Sequence, residues 1–439
     1  RLKLRLNSLF PNRKLNIYLA ASIIVLLFSM AFPFKYGFAF LKDLIPPLKQ
    51  FRALGRFSWM FYYVFTVFTA YLVYIYYRYL KMKDYKILAY ILIIFTIGFW
   101  SIDAGMNIKF STRNLFNSND LLSNSSEQYK NALKDGGVDI TRYQAILFLP
   151  YANTCGDKLL FEDGMPAFKK AMQCSYHTGL PLIQSFSPRL SFEHALSSIQ
   201  MLADPAIPKR RLHDMNDKPI LVLRTEDELS EQEQWLYDRA HKIMKYENIS
   251  FAEVDPGFFE KTHAKWQQEA RLKIKNLNLH SGVFKTDTLP DLIIYKDFDS
   301  FKNSYEVFTG GSSFYLKQGK EFIISTEEFG ALPEGKYKVT FWLYVDTRTD
   351  NMPEAIFYKW DKEGKQLLRE KWNTREEHNI YKNWVRIDEI IETGADYDIS
   401  LEIKGKYVSL DELLLQPLGS NVYVENNNVH LLNNYPVFF

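Results

Sequence analysis

The sequence predicts a three-part chain: an α-helical membrane part with three transmembrane helices, then a small α/β domain, then an all-β sandwich of jelly-roll type. Three observations predict it. Leu15–Phe34, Phe57–Tyr77 and Ile87–Ile102 carry no ionisable group other than tyrosine, and nothing like them follows. Short apolar runs then alternate with helix-period segments up to about residue 280. From residue 291 the apolar period becomes two, the spacing of a strand with one buried face. The expected bounds are a transmembrane region 1–104 with spans at about 15–34, 57–77 and 87–104, a linker 105–139, an α/β domain 140–282 and a sandwich 283–439.

At about 1.5 Å per residue the first two stretches are long enough for a hydrocarbon core of about 30 Å. The third reaches that length once Asp103 and Ala104 are added. Basic residues set the orientation. Arg1, Lys3, Arg5, Arg13 and Lys14 precede the first span without an acid, and Arg78, Lys81, Lys83 and Lys86 outweigh Asp84 in the second short loop. Basic short loops stay in the cytoplasm. The expectation is an amino terminus inside a bacterial inner membrane, three crossings, and everything after about residue 104 outside; the alternative makes the third segment a buried hairpin partner and leaves the bulk inside. Lys35, Lys42, Lys49, Arg52 and Arg56 then fall on the outer side and need another explanation. Leu15–Phe34 lacks the small-residue cleavage site of a signal peptide. Arg1 is not an initiator methionine, so the expectation is the carboxy-terminal part of a longer multi-spanning protein.

The 439 residues allow about three units at roughly 100–200 residues each. A net charge of +3 gives a nucleic-acid partner no support. Tyr62, Tyr63, Tyr71, Tyr74, Tyr76, Tyr77 and Tyr79 cluster on the second stretch, as an interfacial aromatic belt facing membrane lipids does. Cys155 and Cys174 stand 19 positions apart. In an oxidising compartment they form one disulfide worth roughly 3 kcal/mol; otherwise they are two buried thiols.

A helix is expected near Glu127–Lys134. Tyr143–Pro150, Pro181–Ser185, Pro219–Arg224 and Ile249–Val254 read as strands. Ser230 and Glu233 make a capping box for a helix presenting Leu236, Ala240, Ile243 and Met244 on one face. Asp255-Pro256 opens another helix that runs towards Asn276. In the third part, Tyr337, Val339, Phe341, Leu343 and Val345 alternate with Lys338, Thr340, Trp342 and Tyr344, and Tyr397–Ile403 repeats the pattern. Ser313–Leu316, Glu321–Ser325, Ala355–Trp360, Trp384–Ile391 and Val408–Leu415 are further strands. Gly310-Gly311, Gly319, Gly335, Gly364, Gly394 and Gly405 read as turns between them.

No metalloprotease, P-loop or nucleophile-elbow motif occurs, so no catalytic residue is identified. His177 and His194 flank the turn region Gly179–Arg189 and read as site residues or as structural ones. The stretch Ile45–Phe57 is more specific. Arg52 and Arg56 stand four apart on one helix face at the mouth of a span, where a guanidinium fork either binds a lipid phosphate or snorkels to headgroups. A prolyl loop followed by Phe51-Arg52 and Arg56-Phe57 resembles the late outer loop of bacterial membrane proteins related to GT-C glycosyltransferases. Phe148-Leu149-Pro150, Gly179-Leu180-Pro181-Leu182-Ile183 and Ser187-Pro188-Arg189 extend the resemblance over about residues 15–225. It implies a polyprenyl-phosphate sugar as partner and a catalytic loop upstream of this chain.

The third part separately resembles jelly-roll carbohydrate-binding modules. The resemblance rests on Asp297–Phe301 with Thr309–Ser313, on Gly335–Trp342, and on Leu410–Pro417. It implies a structural calcium ion held by Asp297, Asp299 and Asp411, unless these are solvated turn acids. It also implies a glycan stacked on Trp342, Tyr344, Tyr358 and Trp360, unless other elements cover those rings. The expected function is the carboxy-terminal part of a glycosyltransferase-like membrane protein with a sugar-handling sandwich. The alternative is a non-enzymatic, membrane-anchored surface protein whose sandwich binds glycan or a protein.

Overall fold

The computed structural model describes residues 13–38, 40–44, 54–116, 127–155, 158–184, 191–280, 282–301, 304–325, 332–349, 351–426 and 428–439. The chain divides into two compact units, Arg1–Asp120 and Leu121–Phe439.

The first unit is helical. Helix α1 spans Arg13–Ser29, α2 Ser58–Met82 and α3 Lys86–Phe116. Among the described residues two helical segments, Leu54–Met82 and Lys86–Thr112, are long and apolar enough to cross a membrane. The expected first span falls short. Its helix stops at Ser29, Ala31 turns to φ +60°, and Pro33 disfavours helix at the residue before it. Helix α3 runs past the expected limit at residue 104 and into the expected linker. Ile94 and Phe95 are each 70% exposed, so α3 turns its apolar side chains outward where lipid would cover them.

The second unit begins with α4 (Gln128–Asp135), close to the expected helix. Strands β1 (Ala145–Leu149), β4 (Ile220–Arg224), β6 (Ile249–Val254) and β5 (His241–Tyr246) form one sheet in the order β1-β4-β6-β5. β1 and β4 are parallel and the other neighbours antiparallel. Between β1 and β4 come a hairpin, β2 (Asn153–Cys155) and β3 (Leu159–Phe161), and helices α5 (Met165–Thr178) and α6 (Phe192–Ile199). Pro181–Ser185 makes no strand of its own; Leu182 bridges singly to Ile146. The capping box forms, with the Ser230 hydroxyl accepting from the Glu233 N–H and the Glu233 carboxylate accepting from the Ser230 N–H. Its helix, α7 (Glu231–Arg239), ends sooner than the apolar pattern suggests. Ile243 and Met244 belong to β5 instead: Met244 pairs with Phe251 of β6, and Ile243 sits at the irregularity between Lys242 and Met244. Helix α8 (Pro256–Lys275) follows the Asp255-Pro256 start.

The β part has two sheets. A small one orders β19 (Tyr435–Val437), β18 (Val429–Leu432), β17 (Val422–Asn426), β8 (Phe284–Thr286) and β7 (Leu279–His280). The large one orders β13 (Gln366–Trp372), β12 (Glu354–Asp361), β16 (Tyr397–Pro417), β11 (Gly335–Tyr344), β15 (Trp384–Thr393) and β14 (Ile380–Tyr381). β9 (Ile294–Lys296) and β10 (Phe314–Ser325) also pair with β16.

β16 is one 21-residue strand that the sequence divides at Gly405. Its first half pairs with β12 and its second with β11, so it carries both halves of the sandwich. Gly405 lies opposite Gly319 in the ladder, and Tyr407 takes φ +52°. A Cβ at Gly405 would meet Val408 Cγ2 at 2.9 Å, so a side chain is excluded where the strand bends. The halves meet face to face: Phe341 on β11 lies 6.2 Å from Trp372 on β13, and Trp372 stacks 5.7 Å from Phe357. Tyr337, Val339, Phe341, Leu343 and Val345 all face this core, as their alternation predicts. The same core continues into Leu147, Leu149, Val222 and Val254 of the first sheet, so it runs across the boundary expected at residue 282.

Candidate functional site

Two outer surfaces of the sandwich carry aromatic side chains. On β11, Trp342 is fully buried. Its ring stacks on Phe308 at 4.3 Å, and its N–H donates to the Asn434 carbonyl at 3.0 Å. Asn434 also donates to Thr340 Oγ1 at 3.2 Å. Residues of the small sheet, Phe284, Val422, Val424 and Leu431, pack in the same cluster. Trp342 therefore cannot stack on a sugar, which corrects the expectation for this residue. Tyr344 is half-buried beside Trp384, 5.4 Å between centroids, on that same covered side.

β12 places Tyr358 and Trp360 on the outer surface of the other half. Phe357 and Ala355 alternate with them and fill the core. Both rings are half-exposed, with centroids 5.6 Å apart and planes 19° from parallel. Their polar edges are fixed: Trp360 Nε1 donates to Ser400 Oγ at 3.1 Å, and the Tyr358 hydroxyl to Glu402 Oε2 at 3.4 Å. Phe322 of β10, 49% exposed, adds a third ring 6.2 Å from Tyr358. Directly opposite Tyr358 stands Arg369 of β13. Phe322 and Arg369 have no part in the sequence reading. β13 was not expected as a strand at all, because its charged face hides the period. Within Gln366–Trp372 only Arg369 and Lys371 alternate with Leu368, Glu370 and Trp372, and the adjacent Leu367 and Leu368 break the period. The four expected sugar-binding rings thus separate into one buried, one on the covered side, and a pair that shares an open surface.

A further aromatic cluster is already filled. The Arg348 guanidinium sits 3.6 Å from the Tyr305 ring and 4.3 Å from Tyr407, and bonds the Asp346 carboxylate through Nε at 2.9 Å.

The acids expected to hold calcium are spent on the chain itself. Asp299 Oδ1 accepts from the Gly311 and Ser312 N–H groups at 2.7 and 3.0 Å, and Asp297 Oδ1 from the Asp299 N–H at 3.1 Å. Asp411 Oδ2 accepts from the Phe308 N–H at 2.9 Å. Burial, and then the neighbouring Glu412 carboxylate, push the Asp411 carboxyl up to about 8. Among the described residues no group of three or more His, Cys, Asp or Glu side chains is placed to hold a metal ion.

Cys174 is a free, buried thiol on α5, which corrects the expected disulfide. It packs on the sheet with Phe148 and Leu221, and burial pushes its thiol up to about 12. Cys155 lies in β2, and its side chain is outside the described residues. Arg52 also lies outside them. Arg56 is exposed at the start of the Leu54–Met82 segment. His177 is buried, accepting from the Tyr129 N–H at 3.4 Å, and His194 lies in the first turn of α6. His177 therefore reads as structural.

No protein-family model matches the chain, and no curated protein matches it. The GT-C resemblance gains no support from either. Solved structures overlap it in part. The xylan-binding module of family 22 from Paenibacillus barcinonensis Xyn10C shares 12% identity over 32% of this chain and 89% of its own, at TM-score 0.20. A family 35 carbohydrate-binding module from Clostridium thermocellum shares 9% over 28% and 90%, at TM-score 0.18. A family GH115 4-O-methyl-α-glucuronidase shares 16% over 29% of this chain but spans only 18% of its own length, at TM-score 0.20. Overlaps this partial assign no ligand to this chain.

Proposed function

We propose that this is a membrane-anchored protein of the bacterial cell envelope whose sandwich binds glycan on the outer surface of β10, β16, β12 and β13, outside the cytoplasm. The observation that supports it is the half-exposed Tyr358–Trp360 pair with its polar edges held by Ser400 and Glu402. Large amphipathic rings left at a surface are unusual unless something covers them. Rings fixed in advance lose little side-chain entropy when a sugar's C–H face stacks on them. The neighbouring hydroxyl, carboxylate and guanidinium supply hydrogen bonds that orient a polyol.

The test is a glycan array probed with the full chain in detergent. The reading expects binding to some glycan, lost in Trp360→Ala while near-ultraviolet circular dichroism stays unchanged. Binding that survives Trp360→Ala overturns it. The placement outside the cytoplasm has its own test. A membrane-impermeant maleimide should label Asn427→Cys in intact cells and spare Met82→Cys, and the reverse pattern contradicts it.

A further inference from the structure

We infer that the glycan taken by this surface is anionic, its carboxylate or phosphate held by Arg369; this rests on the reading of the surface as a glycan site. The charges around the rings are mostly paired off. Lys371 bonds Glu354 at 2.7 Å, Lys320 lies 3.6 Å from Glu402, and Lys362 bonds Asp398 at 2.7 Å. These three acids are the ones that β12 and β16 turn to this side, in the alternation that carries Tyr358 and Trp360. Each has a cation of its own. Arg369 and Lys404 are exposed and make no ion pair within 4.0 Å among the described residues, although both lie near enough to Glu354 to help Lys371 lower its carboxyl.

The position of Arg369 matters more than the count. As the direct cross-strand partner of Tyr358, it has its Cβ about 5 Å from that of the tyrosine, on the same side of the sheet. Its side chain is long enough to reach the edge of any ring stacked on Tyr358 or Trp360. A guanidinium presents a planar fork of donors and no acceptor, which matches a carboxylate or a phosphate in two parallel bonds. A neutral sugar offers no such pair. Lys404 stands opposite Glu354, further along the same side, and adds positive charge there beyond the Lys371–Glu354 pair.

The experiment uses the full chain in detergent and a panel of paired oligosaccharides. Each backbone is present with uronic acid, with a phosphate ester, and as its neutral counterpart, such as oligogalacturonate beside its carboxyl-reduced form. A charge-assisted bidentate bond predicts about tenfold tighter binding of one acidic form than of its neutral partner in low salt. The advantage should shrink when salt is raised to about 0.5 M, where the Debye length is only a few Å. Arg369→Gln should bring the acidic form down to the neutral affinity, while Trp360→Ala abolishes both. The uronate and phosphate arms tell the two anion sources apart. Equal affinity for acidic and neutral forms, unchanged by Arg369→Gln, overturns the anionic preference and leaves the surface as a neutral-glycan site. No binding by any member overturns both.

Discussion

On β11, Thr340, Trp342 and Tyr344 alternate with core residues; on β12, Ile356, Tyr358 and Trp360 do the same. The two strands flank β16 and put similar side chains on their outer surfaces, yet Trp342 is sealed whereas Tyr358 and Trp360, like Tyr344, stay half-buried. The difference comes from chain far away in sequence. Strands β17 to β19, with β8, lie over β11 and bring Asn434 onto the Trp342 indole. On β12 the described residues leave both rings half-exposed. An aromatic residue on a polar strand face is thus no sign of a binding surface until its cover is known.

The largest effect should separate the two tryptophans. Trp342→Ala removes a fully buried ring and its hydrogen bond, and should cost about 3–5 kcal/mol in denaturant unfolding of the full chain. Trp360→Ala should cost about 1 kcal/mol or less. Equal losses would erase the contrast between the surfaces.

A buried histidine away from both surfaces should make stability depend on pH. His378, just ahead of β14, is buried against Phe161 at 4.5 Å with Nδ1 3.2 Å from the Ile199 carbonyl. Burial holds its imidazole down at about 4. The unfolded chain takes up a proton near pH 6.5 and the folded one only near 4, so stability falls as pH drops through that window, by up to about 3 kcal/mol. His378→Gln should flatten the thermal midpoint between pH 7 and 4. A slope that persists unchanged would assign it elsewhere.

A smaller effect tests how one strand serves both surfaces. Gly405→Ala should cost about 1–3 kcal/mol, because the added methyl meets Val408 where β16 bends. A neutral outcome in the same unfolding assay would mean that the bend relaxes freely.

The legible parts of this fold were local. The capping box at Ser230, the Asp255-Pro256 start and the strand Ile249–Val254 each follow from a few adjacent residues. The alternation on β11 gave its core face correctly. What failed depends on distant chain. Gly319 and Gly405 read as turns because their partner was out of view; paired with each other, they let two long strands bend together. Ile243 and Met244 fit a helix until β6 offers their segment a ladder, in which Met244 pairs with Phe251. Cys155 and Cys174 suggested a bond that the packing of α5 does not make. For the site, Tyr358 and Trp360 were legible as aromatic alternation, while Phe322 and Arg369 reach them only through sheet pairing.

The most direct test of the glycan surface is oxidative footprinting of the full chain, with and without a glycan that binds it, read by mass spectrometry of single residues. The account predicts that Tyr358 and Trp360 are oxidised in the free protein and protected on binding, while Trp342 stays unreactive throughout. Protection that appears at Tyr305 and Tyr407 instead, with Tyr358 and Trp360 unchanged, would contradict it.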